Sequence, residues 1–336
     1  MDPTIKHVAK KANVSTATVS RILNNKPGFS LKTKERVLEV IEELGYQPNA
    51  IARGLINGKT ETIGVMMPRL LDMFASKVLE GIDKYAHERG SSVIVCNTDN
   101  SRDRTMKYLQ FLGEKRVDGI IFVSQLLEED YYRMMADMKI PIILVSTISY
   151  EFQLPYVKVD DYHAAFSATQ YLIQKGHKKI AMIAGEQTDP VAGIPRIEGF
   201  KSALKSAGLT PDDRFIISTG GYRHGDGKRG MEQILESGLD VTAIFACSDE
   251  LAVGAMSVAY KKGLSIPDDL SIIGYDNTPL AQMSFPPLTT VAQPLYDMGN
   301  KSAEMLFNMM ETGERSESRI MQHKVIERET VKEILD

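Results

Sequence analysis

The sequence predicts an α/β chain in two parts: a small all-α head, and a two-lobed body of doubly wound parallel sheets. Three observations carry that expectation. Residues 1–45 hold three short amphipathic helix patterns. From residue 62 onward, apolar runs of strand length alternate with helical stretches in two successive series, the βαβα rhythm of parallel sheets. At 336 residues the chain is too long for one ordinary domain, and 43% hydrophobic with 25% charged content suffices for a sizeable core.

The head elements follow from caps and periodicity. Thr4 caps IKHVAKKA, in which Ile5, Val8, Ala9 and Ala12 share a face. A turn at Asn13-Val14 leads to Ser15, which caps TATVSRILNN with Val19, Ile22 and Leu23 inward. Ser30 caps LKTKERVLEVIEELG, with Val37, Leu38, Ile41 and Leu44 as the expected apolar stripe and Gly45 as the stop. Two short helices across a tight turn, followed by a supporting helix, make a helix-turn-helix plan. The second helix enters a major groove in that plan. Its exposed start is accordingly small and polar: Ser15, Thr16, Ala17, Thr18 and Ser20, with Arg21 able to reach a base edge or a phosphate. An ordinary three-helix bundle has the same apolar pattern, so the pattern alone leaves both readings open.

In the body, the first series is TIGVMMP (62–68), SVIVCNTD (92–99), GIIFVS (119–124) and PIILVST (141–147), with helices near 75–89, 102–115 and 128–138. VKVDD (157–161) opens the second, followed by KIAMIAG, FIISTG, AIFACSD and LSIIGYD. Two series imply two similar lobes. Ligands of such sheets bind beyond the carboxyl ends of the strands, which places a site in the cleft between the lobes.

Composition narrows the function classes. Residues 1–60 carry ten Lys/Arg against five Asp/Glu, a net +5, and the remainder carries thirty against thirty-nine, a net −9. A basic head on an acidic body suits a head that meets a polyanion. No apolar run reaches the ~18 residues that span a membrane. The start MDPTIKHVAKK has no signal-peptide core, so a cytoplasmic protein is expected. Cys96 and Cys247 sit in apolar runs and read as buried structural thiols. The six histidines show no metal-ligand spacing, and no HExxH, GxSxG or Walker A motif occurs. GDGKRG (225–230) matches GxGxxG literally, but TGGYRH separates it from its strand, whereas a dinucleotide loop follows its strand directly. A binding protein with no cofactor and no metal is expected, not an enzyme.

The run VAKKANVSTATVSRILNN, followed by LGYQPNAIARGL, resembles the lactose/galactose repressor (LacI/GalR) family of bacterial regulators. DGIIF, QYLIQKGHKKIAMIAG, RIEGFKSAL, TAIFACSDELAVGAM, SIIGYDN and PPLTTVAQP extend the resemblance over essentially the whole chain. It implies a helix-turn-helix head (1–45), a hinge helix (46–60) and a periplasmic-binding-protein-like body (61–336). Lobe one would span about 61–157 and 288–318, and lobe two about 158–287 and 319–332. LTTVAQP would return to lobe one. The resemblance further implies a homodimer on double-stranded operator DNA, with DNA contacts at Thr4, Ser15, Thr16, Ala17, Thr18, Ser20, Arg21 and Asn24. In the hinge it implies Asn49 as cap and phosphate contact, Ala52 as a close-approach position, and Leu55 as the wedge driven into the minor groove. Such a wedge costs unstacking energy but permits a bend that brings more protein surface into contact.

For the cleft, the resemblance implies effector contacts from Phe74, Ser146, Arg196, Tyr222, Ser248, Asp249 and Asp276. Arg196 would grip hydroxyl or anionic groups, and Asp276 would accept from sugar hydroxyls. Taken alone, Asp249 equally reads as a helix cap and Phe74 as core. The chain departs from the family at Pro68-Arg69, where many members have Pro-Asp, and at Ser146, where several carry a ligand-binding Asp. The effector's identity therefore stays open between a carbohydrate and its phosphate, and its sign between inducer and co-repressor. YQPNAIARGL, QTDPVAG, GYDNTPLAQM and QPLYDMG also resemble the catabolite-control branch, whose co-repressor is serine-phosphorylated HPr. In the helix NKSAEMLFNMM, however, Glu304 and Asn308 stand where that branch carries Arg and Lys, and a carboxylate repels a phosphoserine. A small-molecule effector is the favoured expectation.

Overall fold

The computed structural model describes residues 3–23, 26–46 and 59–334. The expected DNA and hinge residues Asn24, Asn49, Ala52 and Leu55 lie outside the described residues. The chain divides into two compact units, residues 1–61 and 62–336.

The first unit is three helices: α1 (Ile5–Lys11), α2 (Thr16–Leu23) and α3 (Leu31–Leu44). Each starts where a hydroxyl residue marks it. Thr4 precedes α1, and its N–H donates to His7 Nδ1 at 3.2 Å. Ser15 Oγ accepts from the Thr18 N–H at 3.1 Å, and Ser30 Oγ from the Thr33 N–H at 3.2 Å. Gly45 ends α3 in the left-handed region (φ 61°), open to glycine without a Cβ penalty. The core is Val8, Ala9, Ala12, Val19, Ile22, Val37 and Val40. One expectation is corrected here: Val40 is buried, and Leu38 is 45% exposed. From Val37, steps of three and four residues return to the same face, whereas one step rotates about 100° away.

The second unit holds two six-stranded sheets with helices on their faces. The strands are β1 (Thr62–Met67), β2 (Ser92–Asn97), β3 (Gly119–Val123), β4 (Ile142–Val145), β5 (Tyr156–Val159), β6 (Ile180–Ala184), β7 (Ile216–Ser218), β8 (Ala243–Ala246), β9 (Ser271–Asp276), β10 (Thr289–Ala292), β11 (Arg319–Met321) and β12 (Lys324–Ile326). The sheet orders are β11-β5-β4-β3-β1-β2 and β12-β10-β9-β8-β6-β7. Both contain the same doubly wound sequence, with the first strand of each series at the point where strand order reverses. All pairs are parallel except β10 with β12. Parallel strands covered on both faces are almost wholly apolar, as IIFV of β3, IILV of β4 and AIFA of β8 are.

The lobe boundaries expected from the sequence need three corrections. VKV does not open the second series: Leu144 pairs with Tyr156, and Val145 with Val157, so β5 belongs to the first sheet. LTTVAQP does not return to lobe one: Thr289 pairs with Ile273 in the second sheet. The terminal segment is shared, with Arg319–Met321 beside β5 and Lys324–Ile326 beside β10. The chain crosses between lobes just after β5, after β10 and after β11. Local periodicity cannot tell which sheet a buried strand joins, because either partner satisfies the same apolar run.

The helices of the body are α4 (Met73–Glu88), α5 (Arg102–Lys115), α6 (Glu129–Asp137), α7 (Asp161–Gln174), α8 (Gly193–Ser206), α9 (His224–Glu236), α10 (Asp249–Lys261), α11 (Pro279–Met283) and α12 (Leu295–Thr312). GDGKRG lies within α9, where a Cβ on Gly227 would strike the Leu251 carbonyl of α10. Gly227 there serves helix packing, and Gly230 faces the Ile183 side chain of β6. Both cysteines are buried, and burial pushes the Cys96 thiol up to about 11 and the Cys247 thiol up to about 12.

Candidate functional site

A cavity of about 720 Å³ opens where the carboxyl ends of the two sheets face each other. Its wall includes the ends of β1, β3, β5 and β9 and residues just after β4, β6, β7, β8 and β10. All seven residues expected at an effector site lie on it. Five non-glycine residues on the wall, all at or just past strand ends, have positive φ: Asp99 (55°), Asn100 (51°), Ser124 (48°), Ser146 (51°) and Asp276 (111°). Backbone strain of this kind costs of order 1–3 kcal/mol per residue and gathers at ligand sites.

Arg196 projects from the first turn of α8 and is 8% exposed. Its Nε and one terminal nitrogen reach Asp161 Oδ1 at 3.0 and 2.9 Å, and the other terminal nitrogen donates to the Cys247 carbonyl at 2.7 Å. The guanidinium lies over the Tyr275 ring, 4.0 Å from its centroid. The guanidinium is thus held on two sides by the protein while it lines the cavity. Asp161 also accepts from the Tyr275 hydroxyl at 3.1 Å and pairs with Lys158 Nζ at 3.3 Å. Asp161 and Lys158 flank the first crossover, so the arginine is braced against that connection. Sequence reasoning passed over Asp161, Lys158 and Tyr275. The available signal was the double carboxylate of VKVDD at a strand exit.

Asp276 closes β9 and accepts from Gln293 Nε2 at 2.8 Å. Burial pushes its carboxyl well up, with Arg196 opposing and Asp249 adding to the rise. Asp249 is spent on the protein: Oδ2 accepts from the Thr278 N–H and hydroxyl at 2.7 and 2.9 Å, and Oδ1 from the Thr290 hydroxyl at 2.6 Å. Burial pushes its carboxyl up to about 6 against those hydrogen bonds. Ser248 caps α10 by accepting from the Leu251 N–H at 3.1 Å and donates to the Tyr222 carbonyl at 3.0 Å. Ser248 and Asp249 thus hold the wall in place. Two hydroxyls on the wall, Ser146 Oγ and Tyr222 OH, are buried with no hydrogen-bond partner. Leaving such a group unsatisfied costs about 1–3 kcal/mol.

On the head, Thr4, Ser15, Thr16, Ala17 and Arg21 are exposed, and Thr18 and Ser20 are half-buried. The Thr18 and Ser15 hydroxyls lie 3.0 Å apart, which locks the start of α2 and leaves Thr16 and Ala17 facing outward.

Two family profiles match. Residues 4–49 match the profile described as bacterial regulatory proteins, lacI family. Residues 60–329 match periplasmic binding proteins and sugar binding domain of LacI family. The chain belongs to the LacI family. It is a transcriptional regulator with a helix-turn-helix head and an effector-binding-type body, not an enzyme. Catabolite control protein A of Priestia megaterium is 39% identical over 99% of this chain and 100% of its own length. The HTH-type transcriptional repressor PurR of Vibrio atlanticus is 36% identical over 98% of each chain. The lac repressor dimer bound to operator and the anti-inducer ONPF superposes with a TM-score of 0.88 at 26% identity, covering 99% of this chain and 100% of that one. Among the described residues, no helix is long and apolar enough to cross a membrane, and no group of three or more His, Cys, Asp or Glu could hold a metal.

Proposed function

We propose that this LacI-family regulator represses transcription in the cytoplasm as a homodimer on a palindromic operator, and that a carbohydrate bound in the interlobe cleft sets its operator affinity. The observation that carries the effector half is one cavity, at the carboxyl ends of the two sheets, whose wall brings together Phe74, Ser146, Arg196, Tyr222 and Asp276. Ligand hydroxyls meet the polar groups of that wall, and the faces of Phe74 and Tyr222 offer apolar surface to a sugar ring. The relatives support both halves: one solved dimer carries operator and a small ligand, and another similar structure is a CelR–cellobiose complex. The head reads bases through Thr16, Ala17 and Arg21, with Thr4, Ser15, Thr18, Ser20, Asn24 and Asn49 fixing its register, and Ala52 and Leu55 acting in the hinge. Ligand closes or twists the lobes and so changes how the two hinge segments pair.

Similarity to catabolite control protein A favours a second reading, control by serine-phosphorylated HPr. The charge pattern of α12 opposes it. Lys301 Nζ is held by Glu304 at 2.7 Å, so this turn presents a neutralised pair to a phosphoserine. The test is operator selection from random duplexes with the full chain, followed by a thermal-shift screen of sugars. A ligand that raises the melting temperature must also change operator affinity. Sugars that bind without altering it contradict the coupling.

A further inference from the structure

We infer that the cleft takes an uncharged, hydroxyl-rich effector of about two sugar rings and turns away phosphate esters. The inference rests on reading the cleft as a carbohydrate site, and it narrows that reading.

Proteins hold phosphate with unpaired guanidinium groups and with free N–H groups at helix N-termini. Five arginines reach the cavity wall, against ten Asp and Glu side chains, of which burial holds Asp249 and Asp276 toward the neutral form. Four of the five are already neutralised. Arg69 meets Asp72 at 3.3 Å, Arg196 meets Asp161 at 2.9 Å, Arg102 pairs with Asp130, and Arg229 pairs with Asp226. The fifth, Arg223, stands exposed near Glu250, whose charge it offsets.

The helix N-termini are occupied as well. Asp72 accepts from the Ala75 N–H of α4 at 2.6 Å. Asp189 accepts from the N–H groups of Val191, Ala192 and Gly193 at 2.8, 3.2 and 3.4 Å, entering α8. Asp226 accepts from the Arg223 N–H at 2.8 Å, entering α9. Ser248 caps α10, and Asp249 and Glu250 fill its first turn. At the starts of α4, α8, α9 and α10, the chain's own carboxylate or hydroxyl is already in place. A phosphate dianion meets repulsion worth several kcal/mol where it should find donors. Neutral hydroxyls meet no such repulsion and can donate to the wall carboxylates.

Volume leaves room for more than one ring. Each water takes ~30 Å³ of its liquid, so the twelve non-hydrogen atoms of a hexose occupy at most ~360 Å³. That is well inside the cavity of about 720 Å³. The remaining wall runs along lobe one, past Asp99, Asn100, Leu126 and Glu128, and the exposed Leu126 offers a second ring an apolar face.

Isothermal titration of the full chain tests this with maltose, cellobiose, sucrose and trehalose; glucose and fructose; glucose 6-phosphate, fructose 1,6-bisphosphate and trehalose 6-phosphate; and adenosine and cytidine. The expected result is a disaccharide that binds at least ~10-fold tighter than its component monosaccharides, with every ester at least ~10-fold weaker than its parent sugar. Asp189→Asn and, independently, Glu250→Gln should narrow the gap between ester and parent severalfold. Esters that bind as tightly as their parent sugars, or a panel in which no disaccharide binds, overturn the inference and leave the carbohydrate reading standing if monosaccharides or esters bind. Binding confined to the nucleosides defeats both.

Discussion

Asp161→Ala removes the one carboxylate that both Arg196 and Lys158 face in the wall of the cleft. Arg196 is 8% exposed, Lys158 8% and Asp161 6%, so the substitution removes the nearest counter-charge of two buried cations. Breaking a buried ion pair on one side costs about 3–5 kcal/mol, because the remaining charge keeps its desolvation penalty without its attraction. The Tyr275 hydroxyl loses its 3.1 Å acceptor in the same step. For a unit of this size, 1 kcal/mol moves the melting temperature by about 2 °C, so a drop of ~6–10 °C is expected. The chain has no tryptophan, so circular dichroism is the appropriate probe. Asp161→Asn keeps an acceptor but not the charge, and should fall between the two. Ligand affinity should drop with stability, since the guanidinium loses its brace. A melting temperature within 2 °C of wild type for Asp161→Ala, about 1 kcal/mol, would mean that solvent reaches this cluster and that the bracing argument is wrong.

Other outcomes follow from the same geometry. Ser146→Ala and Tyr222→Phe remove buried hydroxyls that have no partner, so each should leave thermal stability unchanged or raise it by up to ~1 kcal/mol, while weakening the ligand about five- to tenfold; a loss of stability would reveal a hidden partner. Asp276 has a carboxyl pushed up on folding, so the folded state binds the extra proton and this group's stabilisation falls as pH rises from about 4. Denaturation of wild type and Asp276→Asn from pH 4 to 8 should show the steeper decline in wild type, and parallel curves would remove the claim. In the head, exchanging Thr16 and Ala17 for other residues should change which operator bases are preferred, and Arg21→Ala should cost roughly 1–3 kcal/mol of operator affinity if the guanidinium reads a base edge. An unchanged preference profile across operator variants would count against α2 as the reading helix.

Much of this was legible in the sequence, for identifiable reasons. Ser15, Ser30 and Gly45 mark helix ends through local hydrogen bonding and backbone conformation, and those ends fall within a residue or two of expectation. The apolar runs found nearly every strand of the parallel sheets. They did not assign VKV or LTTV to a sheet, because a buried apolar run is satisfied by a partner in either sheet, and pairing with β4 and β9 is fixed by tertiary packing. The long-range pairing of Arg319 with Val157 has no local signal at all. The cleft residues came from resemblance, but the division of labour among them did not. That Asp249 is consumed by Thr278 and Thr290, and that Arg196 is braced by Asp161, are facts of three-dimensional proximity. Leu38 was misassigned because a helical stripe tolerates either neighbour until the packing partner is known.

The central claim is that a molecule in the body's cleft changes operator binding by the head. It is tested most directly by titrating the full chain onto a fluorescent operator with and without the best neutral sugar, using serine-phosphorylated HPr as a comparator and Ser146→Ala with Tyr222→Phe as the control protein. The account predicts a shift in operator affinity of about fivefold or more with sugar, in either direction, that is lost in the double variant, and no shift with the phosphoprotein. An affinity indifferent to every cleft ligand, or one that moves only with the phosphoprotein, would contradict it.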